Sequence, residues 1–430
     1  MIMDLPFRHC LKRQGCGMSK PGLQVLPIMT MVIVSCLICF PASSHARVHL
    51  VYTDVQKDGL RGVDGLAGAA SVIVSPDGKN LYVAGYDDDA VAVFGCNATS
   101  GMLTFVEVQK DGVGGVDGLG GPWSVTLSPD GKHLYVAGYG DDAVAVFSRD
   151  ALRGGLTFVE VQKDGIGGVD GLFGANSVAL SPDGEYLYTA GYDDDAVAVF
   201  SRNATSGGLT FVEVQKDGME GVDGLRGAFS VTVSPDGKHI YVAGHDDDAV
   251  AVFSRDALSG ALAFVEVQKD GIGGVDGLLG PWSVTASPEG KNLYVAGAFS
   301  DAVAVFNRDT TSGALTFVEL QSDGLGGVDG LWGVSSVTLP PDGNQLYATG
   351  TGDDAVAVFG RDATNGTLSF VEVQKNGLGG VDGLDGASSV TVNPDGKFLY
   401  TTGYYDNAIV VFRIQLLNKA MPWLPLLLND

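Results

Sequence analysis

A unit of 53 residues recurs seven times along the chain, with no insertion or deletion between copies. The motif VDGL begins at Val63, Val116, Val169, Val222, Val275, Val328 and Val381. The proline of an SPDG-type turn keeps the same step, at Pro76, Pro129, Pro182, Pro235, Pro288, Pro341 and Pro394. A fixed period of this length is typical of architectures in which each unit covers its apolar faces with its neighbours.

One unit, residues 121–170, contains four short apolar runs: SVTLS, HLYVAG, AVAVFS and LTFVEVQ. Valine, threonine, tyrosine and phenylalanine dominate these runs, as is usual for β-strands. Ser-Pro-Asp-Gly between the first and second runs predicts a tight turn, because proline presets φ and glycine accepts positive φ. Four antiparallel strands repeated seven times predict an all-β fold, a seven-bladed β-propeller with 53-residue blades.

The two ends of the repeated region predict how the ring closes. Residues 49–59, HLVYTDVQKDG, have the fourth-strand pattern with no strands before them, and the last unit lacks a fourth strand. We therefore expect the N-terminal strand to complete the seventh blade, which removes an open sheet edge. The predicted boundaries are a single propeller domain at 47–418 and a short apolar tail at 419–430. The tail is too short to span a membrane and either packs under the ring or binds a partner.

The first 46 residues differ from the repeats, with a basic head, the apolar run VLPIMTMVIVSCLICF and then PASSHA. This pattern predicts a signal peptide at 1–46, cleaved after Ala46, and a secreted or periplasmic protein. An uncleaved anchor is the alternative, although the run is shorter than the ~20 residues of a spanning helix. Four of the five cysteines lie in this leader, so Cys96 has no partner for an intramolecular disulfide.

The formal net charge of −25 argues against nucleic acid or an anionic membrane as a partner. It favours a neutral small molecule, a cation, or a cationic or protein surface, and we expect a monomer. In antiparallel blades, the loops joining strands two and three (2→3 loops) share a face with those leading from strand four to the next blade (4→1 loops). Both are rich in aspartate, as in YDDDA at residues 86–90, so one face should be strongly acidic.

Pairs of aspartates in these loops are candidate ligands for Ca²⁺, which takes 6–8 oxygen ligands in irregular geometry. If the loops are extended, only the outer two aspartates of each run converge. The candidates are Asp87, Asp89, Asp111, Asp117, Asp193, Asp195, Asp246 and Asp248. The alternative is that these are solvated turns, because aspartate favours turns and the loops lack the spacing of known calcium loops.

Catalysis needs differently placed groups, so we compared the positions at which the seven copies differ. The residue before the first-strand serine should lie at the mouth of the central channel. Trp123, Phe229 and Trp282 occupy it in three copies and could stack on a sugar ring or lactone, or simply plug the channel. His245 replaces a repeated tyrosine beside Asp246 and could act as a base; the alternative is neutral drift.

The segment SPDGKHLYVAG…DDAVAVFSRD…GGLTFVEV, residues 128–161, resembles the lactonase family of seven-bladed β-propellers, which includes 6-phosphogluconolactonase-like enzymes, and the YVTN-type repeat propellers. The resemblance implies the fold and, as an alternative function, hydrolysis of a sugar lactone at the channel mouth. It supplies no catalytic motif. The first hypothesis is an extracytoplasmic binding or structural scaffold with a nearly symmetric mouth, whereas a hydrolase requires an asymmetric, polar one.

Overall fold

The computed structural model describes residues 47–417, and every regular element in this range is a β-strand. In chain order the strands are β1 (Arg47–Lys57), β2 (Ala69–Val74), β3 (Asn80–Gly85), β4 (Ala90–Cys96), β5 (Leu103–Lys110), β6 (Pro122–Leu127), β7 (His133–Gly138), β8 (Ala143–Arg149), β9 (Leu156–Lys163), β10 (Ala175–Leu180), β11 (Tyr186–Gly191), β12 (Ala196–Arg202), β13 (Leu209–Lys216), β14 (Ala228–Val233), β15 (His239–Gly244), β16 (Ala249–Arg255), β17 (Leu262–Lys269), β18 (Pro281–Ala286), β19 (Asn292–Gly297), β20 (Ala302–Arg308), β21 (Leu315–Ser322), β22 (Val334–Thr338), β23 (Gln345–Gly350), β24 (Ala355–Arg361), β25 (Leu368–Lys375), β26 (Ala387–Val392), β27 (Phe398–Gly403) and β28 (Ala408–Leu417).

These strands form seven antiparallel sheets of four strands, which we number as blades 1 to 7 from β2 onward. The first strand of each blade contacts the first strands of both neighbouring blades, and β26 contacts β2, so the contacts run around a closed ring. The predicted seven-bladed propeller is confirmed. Each outer strand carries a register shift against its neighbour, a bulge that protects an exposed sheet edge from pairing with other chains.

Blade 7 closes the ring as predicted, because β1 pairs with β28 and completes the sheet β1-β28-β27-β26. The Glu372 carboxylate of blade 6 accepts the Leu50 backbone N–H at 2.6 Å, and Gln374 donates to the Leu50 carbonyl. Glu107 holds Leu156 in the same way at 2.7 Å between blades 1 and 2. The N-terminal strand therefore contacts blade 6 through the same type of hydrogen bond that joins other outer strands to the preceding blade.

The core lies between blades, as the apolar third strands require. In β4 the residues Ala90 to Phe94 are fully buried on both sides of the sheet. Buried residues group into seven clusters, each shared by two neighbouring blades; one joins Tyr82 and Val91 of blade 1 to Leu134 and Phe147 of blade 2. No blade covers its own faces, which explains why the repeat needs a closed ring.

A buried arginine at the end of the third strand links five of the seven neighbouring blade pairs. Arg149 donates to the Tyr82 hydroxyl at 2.7 Å, to the Gly131 carbonyl at 3.0 Å and to Asp77 at 3.1 Å. Arg202, Arg255, Arg308 and Arg361 repeat this arrangement. The repeated arginines are therefore structural.

Two blade pairs depart from this pattern. At the arginine position, blade 1 has Cys96 and blade 7 has Ile414. Burial raises the pKa of the Cys96 thiol to about 12, against a hydrogen bond with Tyr400. In the five blade pairs that have the arginine, the equivalent tyrosine hydroxyl accepts a hydrogen bond from it. Because Ile414 takes the arginine position in blade 7, the Tyr347 hydroxyl has no hydrogen-bond partner within residues 47–417. Blade 7 is therefore joined to both neighbours without this arginine.

The predicted leader at 1–46 and the tail at 419–430 lie outside the described residues, so the signal peptide, its cleavage and the role of the tail stay predictions. Residues 47–417 contain no helix long and apolar enough to cross a membrane.

Candidate functional site

The 2→3 and 4→1 loops of a blade meet at one end, as the predicted strand order requires. In blade 4 the His245 N–H donates to the Gly227 carbonyl at 3.0 Å, and the Asp246 N–H donates to the Arg226 carbonyl at 3.0 Å. Gly244 precedes this contact, and a Cβ at that position would lie 2.2 Å from the Gly224 carbonyl oxygen. Only glycine allows this close approach, which fixes where the chain enters the channel mouth.

In five blades the middle aspartate of the 2→3 loop joins two aspartates of the 4→1 loop in a carboxylate triad. Oxygens of each triad lie within 4.8 Å of one another. The triads in the described part of the chain are Asp58–Asp64–Asp88, Asp111–Asp117–Asp141, Asp164–Asp170–Asp194, Asp217–Asp223–Asp247 and Asp323–Asp329–Asp353. Of the eight predicted calcium ligands, Asp111 and Asp117 converge as expected, but with Asp141 as the third member.

Every one of these five triads is paired with a lysine ammonium group. Lys110 binds Asp64 at 2.8 Å and Asp88 at 3.5 Å, and Lys163, Lys216, Lys269 and Lys375 take the same position. The hydrogen bond to Asp64 raises the pKa of Lys110, against its partial burial. The lysines thus supply positive charge at the place where the sequence suggested Ca²⁺.

The last aspartate of each run binds the next blade. Asp89, Asp195 and Asp248 have φ of 48°, 53° and 50°. Their carboxylates accept backbone N–H groups of Gly121, Gly227 and Gly280 at 2.8, 2.7 and 2.8 Å. The loop is a turn rather than extended chain, which is why the prediction that the outer two aspartates converge is wrong.

The first aspartate of each run accepts a hydrogen bond from a tyrosine of the preceding blade. Tyr404 donates to Asp87 at 3.4 Å, Tyr139 to Asp193 at 3.0 Å and Tyr192 to Asp246 at 3.3 Å. Each aspartate of a run therefore has its own partner: a tyrosine, a lysine or the next blade. This explains why three adjacent carboxylates recur in the sequence.

The predicted mouth residues form one continuous aromatic cluster. The ring of Phe229 stacks on Trp282, with centroids 5.5 Å apart and planes inclined by 8°, and lies 6.1 Å from Trp123. The cluster extends to Tyr86, 5.2 Å from Trp123, and to Tyr192, 6.1 Å from Phe229. Tyr404 of blade 7 also joins the cluster, with its ring 6.4 Å from Tyr86 and 6.4 Å from Trp123. Residues from blades 1 to 5 and from blade 7 thus meet at the channel mouth.

His245 belongs to this cluster and has an unusual hydrogen-bonding state. Its Nδ1–H donates to Asp246 at 2.7 Å. Its Nε2 is buried and has no hydrogen-bond partner among residues 47–417. The side chain is 9% exposed and lies against the rings of Phe229 at 6.0 Å and Phe299 at 5.3 Å. With Nδ1 donating to a carboxylate, Nε2 carries the lone pair that accepts a proton.

Hydroxyl groups of blades 6 and 7 line another part of the mouth. Ser335 and Thr351 of blade 6 donate to the Ala387 carbonyl at 3.0 and 2.8 Å. Ser388 of blade 7 donates to the Ala69 carbonyl at 2.8 Å. The mouth therefore has an aromatic sector and a hydroxyl sector.

No two blades supply the same pair of residues at the mouth. The pairs, taken from the position before the first-strand serine and the start of the 2→3 loop, are Ala70 with Tyr86, Trp123 with Tyr139, Asn176 with Tyr192, Phe229 with His245, Trp282 with Ala298, Ser335 with Thr351 and Ser388 with Tyr404. A mouth of this kind is asymmetric, as the hydrolase hypothesis requires and the scaffold hypothesis does not.

Several members of the cluster were not among the predicted site residues, namely Tyr86, Tyr192, Phe299 and Tyr404. Comparing the copies identifies His245 because it departs from the repeat. It does not select tyrosines that follow the repeat and reach the mouth all the same. Phe299, which is 53% exposed, replaces the first aspartate in blade 5 and could have been found by the same comparison.

Two further histidines of the blades, His133 and His239, lie at the end opposite the mouth and have structural roles. The Nη2 group of Arg202 is hydrogen-bonded to His133 Nδ1 at 2.8 Å, and that of Arg308 to His239 Nδ1 at 2.7 Å. Both are buried within the blade-to-blade contacts. His245 is therefore the histidine of the repeats that lies at the mouth.

Known relatives of the chain are lactonases. The chain is 24% identical over 349 residues to a 6-phosphogluconolactonase of Klebsiella pneumoniae, covering 78% of this chain and 92% of the relative. It is 23% identical to the enzyme of the same name from an Enterobacter species, again covering 78% and 92%. The periplasmic gluconolactonase of Pseudomonas aeruginosa has a similar fold, with 22% identity, a TM-score of 0.58 and coverage of 77% of this chain and 96% of that one.

The family model described as lactonase, seven-bladed β-propeller, matches residues 48–164, 114–223 and 178–328. These overlapping matches cover more than half of the sequence. They agree with the seven blades of the structure and include the motif at residues 128–161. The chain therefore belongs to the lactonase family of seven-bladed β-propellers.

Proposed function

We propose that the protein hydrolyses a sugar lactone at the channel mouth, with His245 as the general base. The observation that carries this proposal is the buried His245 Nε2 without a hydrogen-bond partner in residues 47–417, beside an Nδ1 held by Asp246 at 2.7 Å. Membership of the lactonase family and the names of the relatives support the reaction class.

The aromatic sector would bind the sugar ring. Trp282 is 8% exposed and stacks on the partly buried Phe229, and the C–H face of a pyranose ring would pack on the accessible part of this aromatic pair. Tyr192 stays protonated at neutral pH, because burial and the neighbouring Asp246 raise its pKa to about 12. Hydroxyl groups of Ser335, Thr351 and Ser388 would face the polar edge of the sugar.

The chemistry follows from the hydrogen bond between His245 Nδ1 and Asp246. Nε2 takes a proton from water as the water oxygen attacks the lactone carbonyl carbon. The tetrahedral intermediate then breaks its ring C–O bond, and the imidazolium returns the proton to the departing ring oxygen. The products are an aldonic acid and neutral imidazole, so atoms and charge balance. Asp246 keeps the imidazole in the required tautomer and stabilises the imidazolium.

Substrate reaches Nε2 only if a covering group moves. The ring of Phe299 lies edge-on against His245 at 5.3 Å and is half exposed, on the 2→3 loop of blade 5. Rotation of this side chain would uncover the imidazole without moving the backbone. Phe299 thus serves as a cover that keeps bulk water from the base when no substrate is bound.

The test is hydrolysis of gluconolactone by the purified protein, followed as acid release and corrected for the spontaneous rate. His245→Gln should lower kcat/KM by about 100-fold or more, because general acid–base catalysis contributes about 10²–10⁴-fold. Asp246→Asn should lower it by about tenfold or more through loss of the tautomer preference.

The matched control is His239→Gln, which removes a buried histidine at the opposite end of the same blade. This variant should retain kcat/KM in the folded fraction. Equal rates for wild type and His245→Gln would contradict the role of His245, and absence of turnover by the wild type for a panel of sugar lactones would contradict the function.

A further inference from the structure

We infer that the lactone hydrolysed at this mouth carries no phosphate group, an inference that rests on the proposed function and narrows its substrate class. The relatives from Klebsiella and Enterobacter are named for a phosphorylated substrate. A phosphate monoester carries a charge of about −1.5 to −2 at pH 7. Its binding would require cationic or N–H donor groups near the sugar.

Carboxylates ring the mouth of this chain. Asp87, Asp193 and Asp246 each accept a hydrogen bond from the hydroxyl group of a tyrosine at the mouth. Burial and the charges of Asp88 and Asp89 raise the pKa of Asp87, against the hydrogen bond from Tyr404. Burial is the larger cause of this shift, and the carboxylates of Asp88 and Asp89 add a negative field that also acts on any further anion at the mouth.

The lysines at this end of the blades bind aspartates of the triads and the middle aspartates of the 2→3 loops, and none of them has an ion pair with Asp87, Asp193 or Asp246 in the described residues. Each is the last residue of an outer strand, whereas the mouth lies at the start of the inner strands. Each donates to an aspartate at 2.7–2.9 Å: Lys57 to Asp382, Lys110 to Asp64, Lys163 to Asp117, Lys216 to Asp170, Lys269 to Asp223 and Lys375 to Asp329.

Two arginines remain at this end in the described residues. Arg61 follows β1 and lies beside Tyr52 and Lys57, which belong to that outer strand of blade 7. Arg226 is exposed near the mouth, but its own backbone N–H and carbonyl bind Asp247 and Asp246. A single exposed arginine whose backbone N–H binds the Asp247 carboxylate offers a phosphate a weak site, while a neutral sugar meets no charge penalty.

The experiment compares kcat/KM for gluconolactone and 6-phosphogluconolactone at about 20 mM and about 300 mM salt. We expect gluconolactone to be favoured by about tenfold or more at low salt and the ratio to fall at high salt, because exposed charges are screened. Asp193→Asn should raise kcat/KM for the phosphorylated lactone about twofold and leave gluconolactone unchanged. Preference for the phosphorylated lactone, abolished by Arg226→Gln, would overturn the inference and make Arg226 a phosphate ligand.

A binding measurement separates this inference from the proposed function. Tryptophan fluorescence of the wild-type chain is titrated with glucose and with glucose 6-phosphate at matched ionic strength. Tighter binding of glucose supports the inference, and equal or tighter binding of glucose 6-phosphate overturns it. These outcomes hold whether or not either lactone is hydrolysed, whereas turnover of neither lactone would contradict only the proposed function.

Discussion

The frame and the mouth of this propeller are built from the same repeat but differ in symmetry. By the frame we mean the contacts that join neighbouring blades. At all seven blade pairs, a carboxylate of one outer strand accepts the backbone N–H of a leucine in the outer strand of the next blade, as Asp54 does from Leu103 and Glu372 from Leu50. At the mouth, all seven blades present different pairs of side chains. The repeat can therefore hold a ring of fixed geometry while a few positions vary, and a chemical site can form where they vary.

Blade 5 shows that two positions of the frame, the lysine and the aspartate that it binds, change together. In this blade Ser322 replaces the paired lysine, and Ser300 replaces the middle aspartate of the triad. The Ser300 hydroxyl accepts the Leu279 N–H at 3.0 Å, the role of the aspartate elsewhere. Loss of the cation accompanies loss of one anion, so charge balance is kept. The replacements at the mouth are not paired in this way, as we expect if these positions contact a substrate.

The largest predicted effect is on the frame. Arg255→Ala removes a side chain that is 1% exposed and binds Asp183, Tyr188 and the Gly237 carbonyl. Breaking one partner of a buried, hydrogen-bonded ion pair costs about 3 kcal/mol or more. Urea unfolding should show this loss of unfolding free energy, while the folded fraction keeps wild-type kcat/KM.

Arg226→Ala is the matched control, because that arginine is exposed, and its stability should change by less than about 0.5 kcal/mol. A loss below about 1 kcal/mol for Arg255→Ala would contradict the structural role given to the repeated arginines.

The second effect lies where frame and mouth meet. Asp195→Ala removes the acceptor of the Gly227 N–H, two residues before Phe229, and places alanine at a φ of 53°. The lost hydrogen bond and the left-handed backbone should together cost about 2 kcal/mol. Asp195→Asn keeps an acceptor and tolerates this backbone, so its thermal midpoint should stay closer to wild type. Equal loss in both variants would exclude the hydrogen bond as the cause.

The third effect is confined to the mouth. Trp282→Ala should raise KM for gluconolactone about tenfold by removing the ring stacked on Phe229, with a smaller change in kcat. Trp332 is 39% exposed and packs over Gly352 in blade 6. Trp332→Ala should leave KM unchanged. If both substitutions change KM alike, the aromatic sector is not the binding surface.

The smallest effect concerns calcium. Lysines already pair with the triads, so adding Ca²⁺ or chelator should move the wild-type thermal midpoint by less than about 1 °C. Lys110→Met leaves Asp58, Asp64 and Asp88 without their cation. This variant should bind Ca²⁺ and show a rise of about 2 °C when it is added. A large shift in the wild type would restore calcium as a native ligand.

Stability should also fall in acid through the SPDG-type turns. Burial of the Asp77 carboxyl acts to raise its pKa, but hydrogen bonds from Ser75, the Lys79 N–H and Arg149 lower it below the ordinary value. A carboxyl with a depressed folded pKa contributes stability above its unfolded pKa of about 3.9, and loses it as pH falls toward the folded value. Asp77→Asn should therefore be less stable than wild type at neutral pH and approach it below about pH 3.

The sequence determined the architecture because the period is exact and every blade needs its neighbours. Ring closure by β1 followed from the missing fourth strand of the last repeat. The partners of individual aspartates did not follow, because they depend on the left-handed turn at Asp89, Asp195 and Asp248. The contact of His245 with Phe299 depends on how adjacent blades are placed, which no residue within one repeat specifies.

The central claim is that the departures from the repeat at the mouth form a lactone site around His245. A crystal structure of the protein with a sugar lactam, a stable analogue of the lactone, tests it most directly. The account predicts the lactam ring packed on Trp282 and Phe229, Phe299 rotated away, and His245 Nε2 about 3 Å from a water poised at the amide carbon. A lactam bound elsewhere on the ring, with Phe299 still covering His245, would contradict it.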